Sequence, residues 1–209
     1  MKLYFVRHGL TKINQAACFN GGQSDSPLTT DGKKAALSLG KQLQQVKFAN
    51  CYSSPQQRAL TTAELVMSQN KVTPATTPII VPQLREMNLG EWDGTPISQH
   101  QHEAAFNDYF QHPARFPAEK IGAESYVALV RRGQLGLKKI LFANQRQLRT
   151  TNLLIVSHGL LLTALIKSLQ NVALDDFRRD GLVPTASVTI VQTFDGKKFE
   201  TLKWGVSGD

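Results

Sequence analysis

Two apolar runs in this chain stop at the same dipeptide. Leu3-Tyr4-Phe5-Val6 leads through Arg7 into His8-Gly9, and Leu154-Ile155-Val156 leads through Ser157 into His158-Gly159. Short runs of Leu, Ile, Val and aromatics bounded by a polar residue and glycine read as buried strands, the kind found in parallel sheets. Such sheets bind ligands at the carboxyl ends of their strands, so the repeated ending places two histidines at one edge. Gly9 and Gly159 are expected to let the chain turn sharply and approach a ligand closely. Side chains alternate faces along a strand, so Arg7 and His8 share a site only where the strand is already ending.

With 209 residues the chain is long enough for an α/β core that buries about 70% of the unfolded surface without disulfide or metal staples. Cys18 and Cys51 are too few and too far apart for a disulfide framework or a paired-cysteine metal knuckle, which points to a reducing compartment, and Cys51 reads as core packing. Only four apolar residues separate Met1-Lys2 from Arg7, too few for a secretory core. No stretch approaches the ~20 residues needed to span a membrane. The expected location is cytoplasmic, with no membrane partner. A formal charge of +8 from 24 Lys and Arg favours an anionic partner: a phosphorylated small molecule, nucleic acid or an acidic surface. The basic residues fall as scattered pairs (Lys33-Lys34, Arg131-Arg132, Lys138-Lys139, Arg178-Arg179) on amphipathic segments. None is interleaved with aromatics, which argues against nucleic acid.

Along the chain, a polar loop over 14–27 precedes a helix predicted over about 29–46 from the spacing of Ala36, Leu39, Leu43 and Val46. Asn50 to Ser53 reads as a strand. Ser54-Pro55-Gln56-Gln57 reads as a helix start, with a Ser N-cap, Pro at the first position and Gln at the third. Pro78 to Leu84 is a further strand candidate. The stretch from Glu86 to Lys120 has weak periodicity, three prolines and a cluster of aromatics and histidines, and reads as a cap over the sheet edge. A long helix is predicted from Tyr126, a buried helix over 160–169, and a terminal hairpin from 187–194 and 198–204 joined through Asp195-Gly196. Alternating strands and helices without repeats or linkers indicate one α/β domain, 1–209, with the cap insertion at about 86–120.

Arg58, one turn into the helix after the second strand, should emerge near the strand ends that carry His8 and His158. Arg7, Arg58 and two histidines then make a cationic pocket whose self-repulsion is tolerable once an anion fills it. Tetrahedral phosphate fits, because guanidinium forks match its oxygens and backbone N–H groups add donors.

These residues occur in ordered motifs. Arg7-His8-Gly9 with Thr11 and Asn14 is followed by Asp25-Ser26-Pro27-Leu28-Thr29 with Gly32. Next come Ser53-Ser54-Pro55 with Arg58-Ala59 and Thr62-Ala63, then Leu84-Arg85-Glu86 with Leu89-Gly90-Glu91-Trp92-Asp93-Gly94, and finally Val156-Ser157-His158-Gly159. The set resembles the histidine phosphatase superfamily in its phosphoglycerate-mutase-like branch. The expectation is a three-layer α/β/α sandwich around a mostly parallel central sheet, with a small insertion capping the strand ends. The resemblance implies that His8 is the nucleophile that forms a phosphohistidine, that His158 is a phosphate ligand protonated when phosphate is bound, and that Glu86 is the acid for the leaving group. The cations Arg7 and Arg58 should hold His8 neutral and nucleophilic. Thr11, Asn14, Gly21, Gly22 and Gly159 are candidate substrate contacts. His100, His102 and His112 lack the carboxylate or cysteine order of a metal site and are read with Phe106, Tyr109, Phe110 and Phe116 as lining the leaving-group side. No metal and no cofactor is expected.

The sequence departs from the family pattern at Gly122-Ala123-Glu124-Ser125, which carries one inserted residue, at Thr185 where relatives often have Asn, and at Leu160 in place of a second glycine. The leading expectation is a histidine-type acid phosphatase, a hydrolase of a small phosphomonoester. The rival is a cofactor-dependent phosphoglycerate mutase, which must keep water from its phosphoenzyme. Against it stand an insertion with Arg115 alone and only Gly205 to Asp209 after the last expected strand. A third reading, from another class, is a catalytically silent phosphate- or nucleic-acid-binding module, which has no need of Glu86.

Overall fold

The two His-Gly runs become neighbouring parallel strands. A computed structural model describes residues 1–74, 76–147 and 151–208. Among them run the strands β1 (Lys2–Arg7), β2 (Phe48–Ser53), β3 (Ile79–Ile80), β4 (Asn152–Ser157), β5 (Ser187–Gln192) and β6 (Glu200–Ser207). The helices are α1 (Lys12–Gln15), α2 (Thr30–Gln42), α3 (Gln57–Ser68), α4 (Ala104–Gln111), α5 (Tyr126–Ala143) and α6 (Gly159–Leu169). The sheet order is β3-β2-β4-β1-β5-β6. The first four in that order are mutually parallel, and β5 and β6 add antiparallel pairings at one side.

Alternation along the strands divides the core between two faces. Tyr4, Val6, Cys51, Leu154 and Val156 pack with Leu39 of α2 and Ala59, Ala63 and Val66 of α3. On the other face Leu3, Phe5, Leu153 and Ile155 pack with Leu129 and Ile140 of α5 and Leu161 and Leu165 of α6. Each Val, Leu, Ile or Phe among them contributes roughly 1.5–3 kcal/mol by leaving water. The result is a three-layer α/β/α sandwich. The chain leaving β1 passes to the face of α2 and the chain leaving β4 to the face of α6, so a crevice opens between two adjacent strands at their carboxyl ends.

Several local expectations change. Of the strand expected over 78–84 only Ile79–Ile80 pairs, and a 3-10 turn, Pro82–Leu84, replaces the rest. Pro82 has no N–H for a ladder. Ser54 does not cap α3, which begins at Gln57 after Gln56. The Asp25 carboxylate, from a distant loop, accepts from the N–H groups of Gln57 and Arg58 instead. The expected hairpin forms from β5 and β6, but β6 continues through Ser207. Most of the segment from Gly205 is therefore strand, and Asp209 lies outside the described residues.

The aromatics of the 86–120 segment, expected as a cap, extend the core on the α5–α6 face. Trp92 stacks on Phe19 and meets Tyr109, Phe116 and Phe106 with ring centroids 5.2 to 6.2 Å apart. His100 belongs to this cluster; it is 5% exposed and bonded to Thr95 Oγ1 and the Glu103 carboxylate. It does not line the leaving-group side as expected, because its ring nitrogens are consumed inside the cap. Phe106 and Phe116 likewise pack in the cluster, whereas Tyr109 and Phe110 do reach the cavity described below.

Gly90 has φ +56°, and a Cβ there would fall 1.8 Å from the Ile121 carbonyl oxygen, whereas Gly94 at φ +81° has open space around it. Gly94→Ala is expected to lower the unfolding free energy by about 1–2 kcal/mol, the left-handed backbone term alone. Gly90→Ala adds roughly 1–3 kcal/mol of overpacking. Equal losses in denaturant unfolding would contradict this account of how the cap is held.

Candidate active site

The register of β1 against β4 places Arg7 opposite Ser157, and the next N–H, that of His8, donates to the Ser157 carbonyl at 3.0 Å. This brings the His8 and His158 rings to a centroid separation of 5.2 Å, with both side chains buried. His8 Nδ1 lies 2.8 Å from the Gly9 carbonyl oxygen. A carbonyl only accepts, so Nδ1 carries the proton and Nε2 keeps a lone pair. Burial first, then the charges of Arg58 and Arg7, hold His8 well below its ordinary 6.5. A neutral imidazole with a free Nε2 is what nucleophilic attack requires.

His158 Nε2 lies 2.7 Å from Ser54 Oγ, whose lone pair already accepts from the Gln56 N–H. The Gln56 N–H can only donate, so among the described partners of Ser54 Oγ it is His158 Nε2 that can take the hydroxyl proton; with the hydroxyl donating there, the His158 proton sits on Nδ1. Ser54, expected as a helix cap, is spent on setting this tautomer. Burial, then Arg58, His8 and Arg7, hold His158 well below 6.5. Its expected protonation thus depends on the charge of a bound phosphate, because the protein's own surroundings push the other way.

Arg58 is fully buried in the first turn of α3. Its Nη1 donates to the Ser24 carbonyl at 2.7 Å and Nη2 to that of Gly21 at 2.8 Å, and Asp25 pairs with it at 3.3 Å. Arg7 Nη1 donates to the Val183 carbonyl at 2.7 Å. Both forks are thus fixed from behind. Among the described residues, the buried side-chain nitrogens and oxygens left without a hydrogen-bond partner are Arg7 Nε, Arg58 Nε and His158 Nδ1. All three carry N–H, and all belong to one site. Unpaired buried donors are costly, and their convergence marks a place built for an acceptor that carries negative charge.

Glu86, 7% exposed, sits at the amino end of α6. Its Oε1 accepts from the N–H groups of Met87 and Leu161, both at 2.9 Å, and its Oε2 from that of Leu160 at 3.0 Å. It caps the helix that His158 leaves without a side-chain cap. Leu160, the departure from a second glycine, still supplies its N–H here. Oε2 accepts one bond and keeps a lone pair for proton transfer.

The other expected contacts divide. Asn14 Oδ1 accepts from Thr11 Oγ1 and Asn20 Nδ2, which leaves Asn14 Nδ2 as the amide group without a partner among the described residues. Thr11 itself is fully buried, and its hydroxyl caps α1, so it positions Asn14. Gly21 and Gly22 give their N–H groups to Asp93 and the Met87 carbonyl; the carbonyl of Gly21 holds Arg58. Neither N–H faces a ligand. Gly9 and Gly159 adopt no left-handed conformation; the turn expected at the second His-Gly is made between Ser157 at the end of β4 and Gly159 at the start of α6. A Cβ on Gly159 would fall 2.8 Å from Arg7 Cζ, and one on Gly9 would fall 2.5 Å from the Gly32 carbonyl oxygen. These glycines admit a guanidinium and a neighbouring backbone.

Sequence reasoning missed two supports. Gln56 Nε2 donates to the Gly21 carbonyl at 3.0 Å and its Oε1 accepts from the Glu86 N–H at 2.9 Å, tying the Arg58 loop to the Glu86 segment. Arg132 pairs with Glu124 at 2.7 Å and donates to the carbonyls of Gln83 and Arg85, both at 2.8 Å, so the inserted Gly122–Ser125 segment braces the approach to Glu86. Only three-dimensional packing reveals either. A cavity of about 170 Å³ is lined by Arg7, Asn14, Glu86 and Leu160 together with Phe19, Tyr109, Phe110 and Arg178; it shares Arg7 and Glu86 with the site, while His8, Arg58 and His158 are not among its lining residues. Arg178, read as half of a scattered basic pair, is thus at the pocket. Among the described residues no group of three or more His, Cys, Asp or Glu is arranged to hold a metal ion.

With this geometry the comparisons agree. The family model described as histidine phosphatase superfamily (branch 1) matches residues 3–207. The structure of Bacillus stearothermophilus YhfR is similar at a TM-score of 0.84, covering 98% of this chain and 96% of that one with 32% identity. Adenosylcobalamin/alpha-ribazole phosphatase of Salmonella typhimurium is 31% identical over 173 residues, 81% of this chain and 79% of the relative. Fructose-2,6-bisphosphatase TIGAR B of Danio rerio is 37% identical over 94 residues, 45% of this chain and only 37% of that relative's length. The chain belongs to the histidine phosphatase superfamily.

The two depressed imidazoles set a pH dependence. In the unfolded chain each returns toward 6.5, so below that pH the unfolded state binds protons that the folded state does not, and stability present above it is lost as pH falls. His8→Gln removes one such group. Between about pH 7.5 and about pH 5.5, without added phosphate, its thermal midpoint is expected to fall less steeply than that of the parent. Parallel slopes would contradict the assignment.

Proposed function

We propose that the protein is a phosphomonoesterase that works through a phosphohistidine on His8 and acts on a small phosphorylated metabolite. The observation that carries this reading is the convergence of three unpartnered buried donors, Arg7 Nε, Arg58 Nε and His158 Nδ1, beside a neutral imidazole with its Nε2 free. His8 Nε2 attacks phosphorus, an N–P bond forms and the ester P–O bond breaks. The departing oxygen takes a proton from Glu86, and the three donors stabilise charge on the phosphoryl oxygens in flight. Water then attacks the phosphohistidine, giving its proton to Glu86 as the N–P bond breaks and phosphate leaves. The positive charge supplied by Arg7, Arg58 and His158 meets the need a metal would otherwise serve. The free thiols of Cys18 and Cys51 fit a reducing, cytoplasmic setting, and among the described residues no helix is long and apolar enough to cross a membrane.

Purified protein with EDTA is expected to release phosphate from p-nitrophenyl phosphate; no turnover would favour the silent-binder reading. Phosphorus NMR of 3-phosphoglycerate with a trace of its bisphosphate should not show efficient isomerisation, the outcome a mutase requires. Glu86→Gln is expected to slow alkyl phosphates at least about 10-fold more than p-nitrophenyl phosphate, whose leaving group departs without a proton. Equal losses would remove Glu86 as the acid.

A further inference from the structure

We infer that Arg178 selects phosphomonoesters whose leaving group carries a second anionic group, a carboxylate or a further phosphate; this deepens the phosphomonoesterase reading and rests on it. Arg178 lines the cavity that has Arg7 and Glu86 among its other lining residues. Its guanidinium carbon lies 4.5 Å from the Tyr109 ring centroid and 4.4 Å from that of Phe110, and its Nη1 donates to Tyr126 Oη at 3.2 Å. That hydroxyl in turn donates to the Tyr109 carbonyl at 2.8 Å. Two aromatic faces and one hydroxyl therefore fix the fork, as a recognition element for a planar or tetrahedral oxyanion should be fixed.

What Arg178 lacks is a counter-charge. The acidic residues around it in sequence are all engaged elsewhere. Asp175 accepts from the Ala114 N–H at 2.9 Å, Asp176 pairs with Arg179, and Asp180 pairs with Lys167 at 2.8 Å. Among the described residues Arg178 has no ion pair. Among the described residues Glu86 is the one carboxylate lining the cavity, and its oxygens are held by three N–H groups. A guanidinium with unused donors at a cavity wall where Phe19, Leu89, Ile97 and Leu182 lie alongside Arg7, Asn14 and Asn20 asks for an anion at the far end of a short carbon skeleton. The cavity volume of about 170 Å³ falls below the roughly 300–1,000 Å³ of sites for larger ligands, which keeps that skeleton small.

The test compares straight-chain phosphooxy carboxylates and bisphosphates of increasing length, each against the alkyl phosphate of the same length. In the parent protein, kcat/KM is expected to be higher for the doubly anionic member of a pair. The carboxylate and bisphosphate series tell which anion is preferred. Arg178→Met is expected to shrink that ratio by about 10- to 100-fold, the worth of charged hydrogen bonds, and Arg178→Lys by less. Because the ratio is read within one protein, partial loss of folded enzyme cancels. An unchanged ratio in Arg178→Met would make Arg178 a packing residue only and overturn the inference. If the parent hydrolyses neither these nor p-nitrophenyl phosphate, it is the phosphomonoesterase reading that fails. Calorimetric binding of the same pairs to parent and Arg178→Met then decides the role of Arg178, equal affinity ratios refuting it.

Discussion

Two guanidinium groups placed at the end of a sheet next to two imidazoles, Arg58 fully buried and Arg7 at the wall of a small cavity, are the constraint that the rest of this molecule serves. Burying positive charge is unfavourable unless each group is hydrogen-bonded and balanced. The fold supplies part of that balance from behind: the Val183 carbonyl for Arg7, the carbonyls of Ser24 and Gly21 and the Asp25 carboxylate for Arg58. Among the described residues it leaves three buried donors of the same site without a partner. A site that is complete on its outer side and short of acceptors on its inner side is preorganised for a compact anion, and no reorganisation is needed when charge develops on it.

The same interactions join the groups of the site to elements that would otherwise be separate. Asp25 caps α3 and pairs with Arg58, so the helix start and the cation are fixed by one carboxylate. Glu86 caps α6 directly after His158. Ser54 orients the His158 ring, and Gln56 links the loop behind Arg58 to the backbone of Glu86. Each capping bond is worth about 1 kcal/mol to the helix, but its placement also sets a side chain of the site. Stability and chemistry are therefore not separable at these positions.

Strand-borne features were the most legible in the sequence. Two apolar runs ending in His-Gly have one sensible arrangement in a parallel sheet, and their register brings His8 and His158 together. Helices α2, α5 and α6 follow from apolar periodicity. What sequence could not settle was the use of small polar residues whose local chemistry suits two roles. Ser54 reads as a cap until a histidine 104 positions away takes its hydroxyl. Gly9 and Gly159 read as turn formers, although close approach of backbone and guanidinium requires them. Arg178 looks identical in sequence to the exposed Arg179 beside it. Only the packing of α4 and α5 turns one of that pair onto Tyr109 and Phe110.

The central claim is that the neutral His8, with Nε2 free, takes the phosphoryl group onto itself. Rapid quench of the protein with phosphorus-labelled p-nitrophenyl phosphate, followed by peptide mapping, tests it most directly. The account predicts a label that is lost in acid, retained in base and confined to the peptide bearing His8. Label on any other residue, or full turnover with no labelled protein at any quench time, would contradict it.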